Sequence, residues 1–176
     1  MNTIRIYLIG MPGCGKSTEG RKLAKHLGWV FIDLDHFIEE QEGVSIENIF
    51  ANKGELYFRK IEKSALQKTF ELKHTIIACG GGTIAFEDNM KQINFYGASI
   101  YLKASNNFLL SRIKASKRPR PLFLGLSEEN ILRKIAELGV KRASYFSLAH
   151  ATFEVPLEGG KVLIQKACRQ FNISHL

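Results

Sequence analysis

The sequence predicts an α/β fold in which a parallel sheet carries helices on both faces. Short apolar runs of strand length alternate along the chain with longer segments of helical period. A glycine-rich loop joins the first run to the first helix. Acidic, glycine-rich or basic residues recur just beyond the apolar runs, where open parallel sheets place their ligands.

The elements follow in order. "IRIYLI" (Ile4–Ile9) reads as a strand, and Lys16–Leu27 as a helix with Leu23, Ala24 and Leu27 on one face. "WVFIDL" (Trp29–Leu34) is a second strand, closed by acidic residues. Gly43 and Gly54 bracket a short helix, Ser45–Asn52, with Ser45 as its cap. Glu55–Lys73 is a longer helix, and "HTIIA" (His74–Ala78) a third strand that runs to Gly80-Gly81-Gly82. "ASIYL" (Ala98–Leu102) is a fourth strand, followed by a helix from about Asn106 to Ser116. "KRPRPLFLG" (Lys117–Gly125) is too rich in proline and charge for a helix interior. Ser127 caps a helix to about Phe146, "ATFEV" (Ala151–Val155) is a fifth strand, and Leu163–Phe171 closes the chain helically. No repeat, low-complexity tract or linker divides the 176 residues, so a single domain is expected.

Three cysteines, Cys14, Cys79 and Cys168, are odd in number and far apart. They fit neither a disulfide framework nor a zinc spacing and read as reduced thiols. With no apolar run near the roughly 18 residues of a membrane span and no signal-peptide pattern, a cytoplasmic protein is expected. The net charge of +8 suits either nucleic acid or an anionic substrate. The densest basic cluster, Lys114, Lys117, Arg118 and Arg120, is brief and sits beside two prolines; such a run is most often a solvated face, so charge alone does not choose between the two.

The first strand leads into Gly10-Met11-Pro12-Gly13-Cys14-Gly15-Lys16-Ser17, which satisfies G-x-x-x-x-G-K-[ST] between a strand and a helix. Its glycines let successive backbone N–H groups surround a phosphate, Lys16 reaches the β- and γ-phosphates, and Ser17 can ligate Mg²⁺. Cys14 reads as a small space-filler within the loop. Asp33 and Asp35 follow the second strand, and strand alternation would turn both to one side. One can then hold Mg²⁺ through water while the other accepts a hydroxyl proton; alternatively, Asp35 caps the next helix. Arg59, one helical turn before Glu62, forms either a surface ion pair or a cavity-rim guanidinium fixed by Glu62 and suited to a carboxylate. A tight turn rarely needs three glycines, so Gly80–Gly82 suggest close approach of a substrate or γ-phosphate. Arg120, held extended before Pro121, can swing over a nucleotide, with Arg112, Lys117 and Arg118 as second-rank candidates. Arg142 is a surface residue or a second anion clamp.

Taken in order, GMPGCGKST, DLD, FRKIE, GGGT, RPL and the Arg142 region resemble the shikimate kinase family, of the nucleoside-monophosphate-kinase-like P-loop group, over nearly the whole chain. The resemblance implies a three-layer sandwich around a five-stranded parallel sheet of order 2-3-1-4-5. It implies Mg²⁺-dependent transfer of the ATP γ-phosphate to shikimate, giving shikimate 3-phosphate and ADP. Gly13, Cys14, Gly15, Lys16, Ser17 and Thr18 would bind ATP, with Ser17 and Asp33 on the metal. Asp35, Arg59, Gly80, Gly81, Gly82 and Arg142 would bind shikimate, the two arginines clamping its carboxylate. Lys16, Asp35 and Arg120 would carry the catalysis. Residues about 33–62 would form a substrate-binding subdomain and about 112–125 a mobile lid, in a monomer, with adenine contacted near Pro156–Gly160.

The chain departs from the family pattern at two places. Where the family has Arg-x-x-x-Tyr, Arg142 precedes Tyr145 by three residues and Phe146 by four. Arg142 with Phe146 in the tyrosine's place is preferred to a shifted register with Lys141, which could not make the same fork of hydrogen bonds. Leu34 stands where a small polar residue is frequent and is expected to point away from the site. A kinase for gluconate, another hydroxylated acid, is the nearest alternative, and a nucleic-acid-binding P-loop protein a more distant one.

Overall fold

The computed structural model describes residues 5–116, 121–156 and 162–171. Strands β1 (Arg5–Ile9), β2 (Val30–Asp33), β3 (Thr75–Ala78), β4 (Ala98–Ala104) and β5 (Ala151–Val155) form one sheet of order β2-β3-β1-β4-β5. Every neighbouring pair is parallel. The centre of the sheet is apolar on both faces: Ile6, Tyr7, Leu8 and Ile9 are fully buried, with Ile76 and Ala98 flanking Ile6 in register. At the β5 edge the pattern alternates, Ala151, Phe153 and Val155 turned in and Thr152 and Glu154 out.

Seven helices flank the sheet among the described residues: α1 (Lys16–Leu27), α2 (Leu34–Glu42), α3 (Ile46–Lys68), α4 (Asn89–Tyr96), α5 (Asn106–Lys114), α6 (Glu128–Phe146) and α7 (Val162–Phe171). Helix α1 buries Gly20, Leu23, Ala24 and Leu27 and stops at Gly28 in the left-handed conformation. A side chain at Gly20 would lie 2.5 Å from the Phe31 ring, so the glycine sets how closely α1 approaches β2. Ser45, Ser105 and Ser127 each accept a hydrogen bond from the backbone N–H three residues on, capping α3, α5 and α6.

The chain leaves β1 toward β2 on one side of the sheet and leaves β3 toward β4 on the other. Such a reversal opens a crevice at the carboxyl ends of the central strands. The loop after β1, the acidic segment after β2 and the glycines after β3 converge there.

Several local expectations change. Residue 35 is not on a strand: β2 ends at Asp33, which serves as the N-cap residue of α2, so Asp35 lies in that helix's first turn. Helix α3 spans both segments expected around Gly54 but is broken there, where φ is 75° and ψ 174°. It ends at Lys68 rather than Lys73, passing into a 3₁₀ turn over Thr69–Glu71. Helix α4 had no counterpart in the sequence reading. It is two turns long, lacks a side-chain cap, and carries apolar groups on both faces, Met90 and Ile93 buried but Phe95 82% exposed, so no helical period stands out.

Candidate active site at the carboxyl edge of the sheet

The convergence produces a cavity of about 450 Å³. Its lining combines the loop after β1 (Pro12, Gly13, Gly15–Thr18), the acids Asp33 and Asp35, Arg59 and Glu62 of α3, the turn Gly80–Gly82, and Arg112, Leu122 and Phe123.

The loop takes its shape from backbone that only glycine adopts readily. Gly13 and Gly15 have φ of 91° and 99°, and the Cys14 N–H closes a turn onto the Met11 carbonyl at 3.2 Å. No side chain caps α1, so its N-terminal amides remain available to an anion. Lys16 folds back over the loop, its Nζ donating to the Gly10 and Met11 carbonyls at 2.9 and 3.2 Å. Cys14 is buried beneath the loop, as its space-filling role requires. The Ser17 hydroxyl donates to Asp33 at 2.5 Å, bringing two hard oxygen ligands together beside Lys16. Mg²⁺ commonly takes only one or two protein oxygens and completes its shell with phosphate and water, so this pair fits it.

Arg59 is anchored on two sides. Its Nη1 donates to Glu62 at 2.6 Å, while Nε and Nη2 reach Glu55 at 3.3 and 3.1 Å. Burial would lower the guanidinium's pKa, but the two carboxylates, Glu62 foremost, outweigh it and hold the pKa above its ordinary value. Glu62 is itself fully buried, with its other oxygen accepting from the Thr83 hydroxyl at 2.6 Å. The Asn89 side-chain amide donates to the Thr83 carbonyl at 2.8 Å.

The three glycines have a local cause. A Cβ at Gly80 would stand 2.5 Å from Glu62 and 2.9 Å from Asp35; at Gly81, 2.7 Å from the Pro12 ring; at Gly82, 2.6 Å from the Arg59 guanidinium. The turn is squeezed by the protein's own site residues, and that packing alone excludes side chains.

Arg142 is a buried residue of α6, with its Nη1 3.9 Å from the Met11 sulfur. It is not among the residues lining the cavity, yet it lies within electrostatic reach of Arg59. Its pKa is lowered by burial first and by the Arg59 charge second, with Glu62 and Glu55 opposing. Lys141 is exposed, while Phe146 is buried and stacked on Tyr101 at 4.2 Å, an arrangement in keeping with Arg142 and Phe146 as the matched pair. Leu34 is fully buried, away from the cavity. The Cys79 thiol is buried, which pushes its pKa well above the ordinary range, so it stays a neutral packing group.

Arg120, Lys117 and Arg118 lie outside the described residues, as does most of the Pro156–Gly160 loop. Sequence reasoning missed Thr83 and Asn89. Thr83 adjoins the glycine triplet, but no spacing ties either residue to Glu62, 21 positions or more away.

A family model described as shikimate kinase matches residues 12–158. A shikimate kinase of Parabacteroides distasonis is 40% identical over 150 residues, covering 85% of this chain and 87% of that protein. The crystal structure of shikimate kinase from Bacteroides thetaiotaomicron superposes with a TM-score of 0.91 at 29% identity, covering 97% of this chain and 99% of that one. A solved structure of shikimate kinase from Acinetobacter baumannii in complex with shikimate gives a TM-score of 0.87 at 34% identity, covering 96% of this chain and 92% of that one.

Proposed function

The chain belongs to the shikimate kinase family, whose members are ATP-dependent small-molecule kinases, and on that premise we propose how its cavity moves the γ-phosphate of ATP to the 3-hydroxyl of shikimate, giving shikimate 3-phosphate and ADP. The observation that carries this reading is the single cavity shared by the phosphate loop, both aspartates, Arg59 and the glycine turn.

The backbone amides of Gly13–Thr18 receive the triphosphate, and Lys16 leaves its carbonyl partners for the β- and γ-phosphates. Ser17 and Asp33 would hold Mg²⁺, which when bound would neutralise charge on the phosphate oxygens. Arg59, oriented by Glu62, takes the substrate's carboxylate from the cavity side. Arg142 contributes the second positive charge from behind, reaching the carboxylate by turning off the Met11 sulfur. Asp35, at the cavity wall beside Gly80, accepts a hydrogen bond from the attacking hydroxyl and aims it at phosphorus. The transition state of phosphoryl transfer is loose, so aiming the oxygen matters more than removing its proton early. Residues 112–125 form the lid that excludes water, with Arg120 over the phosphates; Arg112, Leu122 and Phe123 already line the cavity on that side.

We read the chain as a cytoplasmic monomer. Its three cysteines are buried and unpaired, as suits a reducing compartment, and no helix among the described residues is long and apolar enough to cross a membrane.

The test is ADP release measured across shikimate, gluconate and nucleoside monophosphates with Mg²⁺ and ATP. Turnover dependent on shikimate alone supports the assignment, and faster turnover with gluconate or a nucleotide overturns it.

A further inference from the structure

The Arg59 guanidinium has two anchors of unequal quality. Glu55 is 63% exposed and meets water, whereas Glu62 is fully buried and binds Nη1 at 2.6 Å. Orientation of the guanidinium therefore depends on how firmly Glu62 is held. A buried carboxylate has two oxygens to satisfy, and leaving one bare is costly. Arg59 satisfies one; the Thr83 hydroxyl donates to the other at 2.6 Å.

Thr83 is itself fixed. It is fully buried, its N–H reaches the Gly80 carbonyl at 3.3 Å, and its own carbonyl accepts from Asn89, another fully buried side chain, at 2.8 Å. The glycine turn contacts the same groups, because Gly80 packs on Glu62 and Gly82 on Arg59. A run of bonds thus leads from α4 through the turn to the cavity wall.

We propose that Thr83 is a positioning residue for the acid clamp: its hydroxyl fixes Glu62, and Glu62 sets the plane in which Arg59 receives the substrate's carboxylate. The inference rests on the shikimate kinase reading of the cavity. Thr83 does not line the cavity, so its effect is transmitted through the buried carboxylate.

Thr83→Val keeps the shape and deletes the donor, while Thr83→Ser keeps the donor and deletes a methyl group. Both variants are compared with the wild type by steady-state kinetics in each substrate. Losing one hydrogen bond to a charged group predicts a KM for shikimate raised about tenfold in Thr83→Val, with kcat and the KM for ATP within about twofold. Thr83→Ser should return the shikimate KM to near the wild-type value. An unchanged shikimate KM in Thr83→Val overturns the proposal. So does a Thr83→Ser variant as impaired as Thr83→Val, which would assign the effect to packing, or a parallel fall in affinity for both substrates. If Thr83→Val does not accumulate as folded protein, Thr83→Ala is judged by the same criteria. Absence of shikimate-dependent turnover in the wild type overturns the functional reading itself, whereas normal wild-type turnover with an indifferent Thr83→Val overturns only this relay.

Discussion

The ammonium of Lys16 rests on two main-chain carbonyls of its own loop, and neutral carbonyls compete weakly with a triphosphate for a positive charge. Replacing Lys16 with methionine should therefore reduce kcat by roughly a hundredfold or more, since the lost charge acts where negative charge spreads in the transition state. Near-normal turnover would remove this loop from the reaction. Arg142 makes the opposite kind of contribution. Its buried charge, lowered in pKa by burial and by Arg59, gains a counter-charge when an acid enters. Arg142→Ala should raise the KM for shikimate about tenfold while leaving the KM for ATP nearly unchanged. An unaltered shikimate KM would detach Arg142 from the site. The placement of Lys16 at the cavity was legible in the sequence because a motif fixes loop, lysine and helix together. The burial of Arg142 was not, because on a helix of mixed polarity only tertiary packing decides which cation turns inward.

At the scale of elements, two sets of glycines shape the cavity for different reasons. Gly80–Gly82 lack side chains because Glu62, Pro12 and Arg59 already fill the space. The sequence signalled a close approach there but pointed to a substrate or γ-phosphate as the partner, not to these side chains. Gly54 acts through its backbone: φ of 75° with ψ of 174° is a region reserved almost wholly for glycine, and the break redirects the half of α3 that carries Phe58, Arg59 and Glu62. Gly54→Ala should cost about 1–3 kcal/mol of stability, read from the urea unfolding midpoint, and should also raise the KM for shikimate. A midpoint and KM both equal to wild type would show that the break does not set the site. The paired aspartates show how a right location can rest on a wrong local argument. Asp33 and Asp35 do share the cavity, but across a strand-to-helix junction where Asp33 begins α2, not through strand alternation. Local propensity places such junctions only to within a few residues.

For the whole molecule, the strand order β2-β3-β1-β4-β5 puts β1 between the two directions of winding, so the loop after it faces the acids after β2 and the glycines after β3. The alternation of apolar and helical segments made the parallel sheet legible, because buried parallel strands read as continuous apolar runs. Part of the net charge of +8 is concentrated at one edge, where Lys16, Arg59 and Arg142 gather, while Lys53 and Lys63 are engaged by acids on the surface. Charge alone had not distinguished a nucleic acid from a small anion; membership of the shikimate kinase family points to the small anion. On the proposed reading, one cavity holds a ring acid by its carboxylate and a triphosphate by its terminal phosphate, with the alcohol between them. A crystal structure with shikimate and a non-hydrolysable ATP analogue bound together tests it most directly. The expected result is the carboxylate on Arg59, with Arg142 turned toward it, a ring hydroxyl between Asp35 and the γ-phosphate, and Lys16 moved from the Gly10 carbonyl onto that phosphate. A carboxylate bound away from Arg59, or a ring hydroxyl facing away from the phosphate loop, would contradict it.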